Sequence, residues 1–130
     1  MKNFYKVIIF WLVSMSLLCL FGCSANNKEV TLRVVSTFSE DMCVNEDGTV
    51  GHTTRDEYTV TVKKGEAIIE GIATLKSVSD DKITVELDKY FISYNAAKPG
   101  GKHTIKKGED LSFLMDGLLD ATDSYTIHFE

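Results

Sequence analysis

Proline is almost missing from this chain of 130 residues, Pro99 standing alone, and tryptophan is represented only by Trp11. With so little proline, extended segments can run long without losing a ladder hydrogen bond, and turns fall to glycine and to short polar residues. A basic surplus is missing too: 14 Lys and Arg against 19 Asp and Glu leave a net charge of −5. An acidic chain repels phosphate backbones, which argues against a nucleic-acid partner. No glycine-rich phosphate loop stands between a strand and a helix, and no serine sits in a Gly-x-Ser-x-Gly elbow. His52, His103 and His128 are the only imidazoles, and beyond residue 23 no pair of His or Cys has the short spacing zinc prefers. Enzymatic activity is therefore disfavoured, and no cofactor is expected.

The N-terminus is the most specific feature. Lys2 and Lys6 precede an apolar run from Val7 to Phe21, broken only by Ser14 and Ser16. That run has the length of a signal peptide and is shorter than the roughly 20 residues of a spanning helix. It ends in Leu20-Phe21-Gly22-Cys23, which resembles the lipobox of bacterial lipoproteins. The resemblance implies a helical signal peptide over 1–22, cleavage before Cys23, and acylation of the Cys23 thiol. Residues 23–29 would then be a short tether and 30–130 a single domain held on the extracytoplasmic face of a cell membrane. Several acyl chains anchor firmly, at about 0.8 kcal/mol per buried methylene. An uncleaved anchor helix is the alternative.

Cleavage would remove two basic side chains and no acidic one, leaving the mature chain at −7. It would remove Cys19 as well. With Cys23 acylated, Cys43 is left without an intramolecular disulfide partner.

From Val30 onward apolar residues recur at period two. Val30, Leu32 and Val34 form one such run; Tyr58, Val60 and Val62 a second; Ile83, Val85 and Leu87 a third; Tyr125, Ile127 and Phe129 a fourth. Alternation of this kind puts one face of a strand on a core and the other in water. Ser79-Asp80-Asp81-Lys82 reads as a hairpin turn, and Pro99-Gly100-Gly101 as the strongest breaker. The expected fold is all-β: a small antiparallel β-sandwich, with immunoglobulin-like topology as one form and a small β-barrel as the rival. Met115–Asp120 is the only stretch read as a single helical turn. Thr61-Val62-Lys63-Lys64-Gly65-Glu66-Ala67-Ile68 echoes Thr104-Ile105-Lys106-Lys107-Gly108-Glu109-Asp110-Leu111. Because the adjoining residues differ, the echo reads as one good solvated turn used twice.

Two segments look long for loops of a small β domain, Ser39–Arg55 and Asn95–Lys102, and long loops on a rigid scaffold are where recognition resides. The binding candidates are accordingly Tyr94, Asn95, Gly100 and Gly101 in the second, with Cys43 and His52 in the first. A Cys43–His52 dyad lacks any catalytic context; burial as a small hydrophobe is the ordinary role of such a thiol. Asp116, Asp120 and Asp123 are the carboxylates to test for calcium, as is Asn45-Glu46-Asp47-Gly48, although neither has EF-hand spacing. His103 and His128 read as rim and solvated-strand residues. Three functions follow: a membrane-anchored binding or protein-interaction module with a protein or small-ligand partner, a loop-based peptidase inhibitor, or an envelope enzyme.

Overall fold

The computed structural model describes residues 27–117 and 121–130; the expected signal segment, Cys23 with its expected acylation, and Asp120 lie outside them. Nine strands follow one another: β1 (Glu29–Val44), β2 (Val50–Lys63), β3 (Ala67–Ile69), β4 (Ala73–Val78), β5 (Lys82–Leu87), β6 (Phe91–Ser93), β7 (Gly101–Lys106), β8 (Asp110–Met115) and β9 (Ala121–His128). No helix occurs among the described residues. Of the helical turn expected over Met115–Asp120, Met115 instead ends β8 and Asp116-Gly117 form a turn with Gly117 at positive φ, while 118–120 lie outside the described residues. A glycine in that conformation ends a strand rather than starting a helix.

Two antiparallel sheets pack face to face, ordered β2-β1-β9-β8-β6 and β3-β4-β5-β7. This is the expected sandwich, not a closed barrel. In the immunoglobulin order the first and last strands lie in different sheets; here β1 and β9 are neighbours. The alternating residues read from the sequence supply the core. Leu32, Val34, Leu75, Ile83, Val85, Phe113 and Ile127 are wholly buried between the sheets. Each such side chain contributes about 1.5–3 kcal/mol through removal from water.

The echoed turns are more than a shared solution to a turn. Lys63–Glu66 carries the chain from the first sheet to the second; Lys106–Glu109 carries it back. Gly65 (φ 91°) and Gly108 (φ 87°) take the positive φ that a type II turn requires at its third position. The Glu66 amide donates to the Lys63 carbonyl (3.0 Å) while the Glu66 carboxylate accepts from the Lys63 amide (2.8 Å). Glu109 and Lys106 repeat both bonds, at 2.9 Å each. Gly65 donates onward to the Leu75 carbonyl and Gly108 to that of Phe129.

The correspondence extends through the registers. Val30↔Val62 and Thr31↔Thr61 match Ile83↔Ile105 and Thr84↔Thr104; Val34↔Ile127 matches Leu87↔Ala73. Even the threonine hydroxyls meet in both places, at 2.9 and 3.0 Å. One ion pair is repeated with its charges exchanged: Arg33 meets Glu130 at 2.8 Å, and at the equivalent positions Glu86 meets Lys76 at 2.9 Å. The sandwich is thus built on a pseudo-two-fold axis that sends β1, β2, β3 and β4 onto β5, β7, β8 and β9. The single-turn reading of the echo is corrected accordingly.

Candidate functional site

The pseudo-symmetry separates scaffold from elaboration. Lys28 and Glu130 at the two ends of the described domain, the β4–β5 turn and the two Lys-Lys-Gly-Glu turns gather at one end, the base. Lys28, Asp80, Lys107 and Glu130 line a shallow hollow of about 270 Å³ there, and Lys28 bonds Asp80. The halves differ at the opposite end. In the first half, residues 35–57 stretch into a hairpin arm; in the second, 88–100 fold into β6 and its flanking turns.

The arm corrects the reading of Ser39–Arg55 as a loop. β1 and β2 stay in register from Glu29↔Lys63 to Glu40↔His52 and close again at Val44↔Val50 after an irregularity. β9 leaves β1 at Glu40↔Ala121, so beyond that point the arm has two strands. Its tip is tightly tied. Asn45 Nδ2 donates to the Gly51 carbonyl at 2.8 Å, and Asp47 Oδ1 accepts from the Thr49 amide at 3.0 Å and from its hydroxyl. Those bonds hold the Asp47 carboxyl below the ordinary carboxylate range and use it as a turn brace. Apolar side chains nevertheless project at the tip: Met42, Val44 and Val50 are 75, 72 and 69 % exposed.

On the core-side face of the first sheet, the rows above the sandwich pass from buried to half-buried and exposed. Ser36 lies between Asp56 of β2 and Tyr125 of β9; Phe38 lies between Thr54 and Asp123; Val34 lies between Tyr58 and Ile127. A small residue is thus ringed by Asp56, Tyr58, Phe38, Asp123 and Tyr125. Tyr125 stacks on Phe113 at 5.6 Å and meets Phe91 edge-on at 5.9 Å, which ties the floor of this shelf to the core. Burial raises the Tyr58 hydroxyl above its ordinary range. Tyr125 is raised by burial first, then by Asp123 and Tyr58 nearby.

The remaining candidates do not join one site. Cys43, half-buried, donates to the Glu40 carbonyl at 3.7 Å, and His52 meets the Thr54 hydroxyl at 3.1 Å, so no Cys43–His52 hydrogen bond is formed. Tyr94, Asn95, Gly100 and Gly101 sit beside β6 and β7, and β6 and β2 form opposite edges of the first sheet. Gly100 is pinned there by close backbone approach: an added Cβ would lie 3.2 Å from Lys89 Cα. Asn95, Lys102 and His103 line an open cleft of about 620 Å³ between β7 and β8. His103 is anchored at its rim by the Gly100 carbonyl, 3.1 Å away. His128, read as solvated, is half-buried and bonds Asp110 at 2.6 Å. Asp116 sits in its turn with its amide on the Tyr90 carbonyl, and Asp123 stands on β9 opposite Phe38; no group of three metal-ligating side chains forms among the described residues.

The shelf was missed in the sequence because its members come from three separated segments, 36–38, 54–58 and 123–125. Only the pairing of β2 and β9 on either side of β1 unites them. Compared with known proteins, the chain matches no family model, no curated protein and no solved structure.

Proposed function

We propose that the protein is an extracytoplasmic lipoprotein, anchored through Cys23, whose β-domain binds a partner protein through the end farthest from the membrane. The arm carries this reading. β1 begins six residues after Cys23 and spans 16 residues, roughly 50 Å at about 3.3 Å per residue. The strand that starts at the lipid tether therefore ends at the apolar tip. Three exposed aliphatic side chains on a braced hairpin resemble the anchors of protein interfaces more than the surface of an isolated monomer. β2 adds the outer edge of its sheet, whose backbone groups can accept a further strand.

Crosslinking in native membranes, followed by mass spectrometry, tests the reading. Three proteins are compared: the wild type, Cys23→Ser, and a variant in which residues 42–50 are replaced by a two-residue Asn-Gly turn. A specific partner recovered with the wild type and lost with both variants supports the proposal. A partner that survives arm shortening sinks it.

A further inference from the structure

We infer that the shelf around Ser36 seats an arginine side chain of a basic partner protein; this deepens the interaction reading and rests on it. The sequence places a residue without bulk at the centre of a sheet face whose neighbours include three aromatic and two acidic side chains. Asp56 and Tyr125 flank Ser36 on the adjacent strands, Phe38 stands two residues above it on β1, and Tyr58 and Asp123 occupy the diagonals. A serine among these larger side chains leaves a dimple.

Among the described residues, the core cluster stops short of it. The buried core takes in Val34, Phe113 and Ile127, and Tyr125 packs against it, but neither Phe38 nor Tyr58 joins that packing. Tyr58 is 42 % exposed. Among the described residues, the ion pairs of Arg33, Arg55, Lys63 and Lys76 engage Glu57, Glu130, Glu29 and Glu86, and the Asp56 and Asp123 carboxylates enter none of them.

The chemistry selects a cation with a flat face. Aromatic rings attract cations through their negative faces, and two carboxylates outside the domain's own ion pairs supply acceptors. Asp56 and Asp123 lie two strands apart and one two-residue step offset, roughly 12 Å between Cα atoms from standard sheet spacings. One compact ammonium does not reach across such a gap. A guanidinium donates from opposite edges of its plane while stacking on a ring. The charge of the whole chain agrees, since an acidic domain steers basic partners toward it.

The test uses the full-length lipidated protein in phosphatidylcholine nanodiscs, labelled with fluorotyrosine and observed by ¹⁹F NMR. Tyr58→Phe and Tyr125→Phe assign the two shelf signals. Capped hexa-arginine should shift both saturably and leave Tyr90 and Tyr94 unmoved, with hexa-lysine binding several-fold more weakly. Asp56→Asn and Asp123→Asn should each weaken binding about tenfold, as expected for losing a charge-assisted hydrogen bond. Ser36→Leu should abolish it by filling the dimple, with thermal melting confirming the fold; Asp56→Asn, at an exposed site, supplies the check should Ser36→Leu unfold. Uniform shifts of all tyrosines, equal response to hexa-lysine, or unchanged binding by Asp56→Asn and Asp123→Asn would overturn the proposal. If the crosslinked partner still depends on the arm while hexa-arginine fails to bind, this inference falls and the interaction reading stands. If hexa-arginine binds and the partner ignores arm shortening, the interaction reading falls instead.

Discussion

At Phe113 a ring with no exposed surface packs edge-on to Phe91 at 6.1 Å and stacks with Tyr125. Truncation to alanine removes both aromatic contacts and leaves a void the sheets cannot close. Phe113→Ala should cost about 3–5 kcal/mol in urea unfolding, whereas Tyr94→Ala, exposed beside β6, should change stability by less than about 0.5 kcal/mol. The two shelf tyrosines make a second residue-level test. Burial raises both hydroxyls above the ordinary value of 10.0, so the folded state favours their protonated form. Their contribution to stability is complete below that value and is lost as pH rises through the raised ones. A ring-signal titration should find Tyr58 and Tyr125 ionising above pH 10, and Tyr125→Phe should flatten the alkaline loss of stability. Titration of both at the ordinary value would contradict the packing described.

Among the elements, the crossing turns behave as a matched pair. Glu66 and Glu109 each close a turn by accepting from the amide three residues back. Glu66→Ala and Glu109→Ala should therefore each cost about 1 kcal/mol, and the double variant about the sum, since the two turns share no partner. A cost confined to one of them would break the equivalence. The strands themselves were legible wherever one face met the core, because burial imposes the two-residue period: Val30–Val34, Tyr58–Val62, Ile83–Leu87 and Tyr125–Phe129 all lie where alternation puts them. The arm was not. From Thr53 to Glu57 every side chain is exposed, so neither face selects apolar residues and the strand reads as a loop. Candidate residues fared the same way: Cys43 and His52 stand on the arm, but the shelf that the arm helps to build left no local pattern to find.

For the whole molecule, the pseudo-two-fold relation makes the junction of the chain ends equivalent to the β4–β5 turn. Lys28, Ser79, Asp80 and Glu130 line the same hollow. A circular permutant opened between Asp80 and Asp81, with Glu130 joined to Lys28 by a short Gly-Ser linker, should retain the strand content and cooperative melting of the parent; a permutant without a cooperative transition would contradict that equivalence. The duplication was half visible in the sequence. Val30-Thr31-Leu32-Arg33-Val34 matches Ile83-Thr84-Val85-Glu86-Leu87 in pattern, but Thr31 and Thr61 are 30 residues apart and Thr84 and Thr104 only 20. The inserted arm broke the period that would have revealed the repeat.

The path of β1, from the end nearest Cys23 to the tip of the arm, also sets how the domain would bear a load. A partner gripping the tip and a membrane holding Cys23 would pull on the two ends of one strand. That tension would run along the covalent backbone of β1 and leave the hydrogen bonds joining it to β2 and β9, which lie across the strand direction, largely unloaded. The same tension applied between Lys28 and the β2 end at Lys63 would peel the pair apart one bond at a time. A domain held at Cys23 and gripped at the tip would therefore pass the load along one strand without having to unfold.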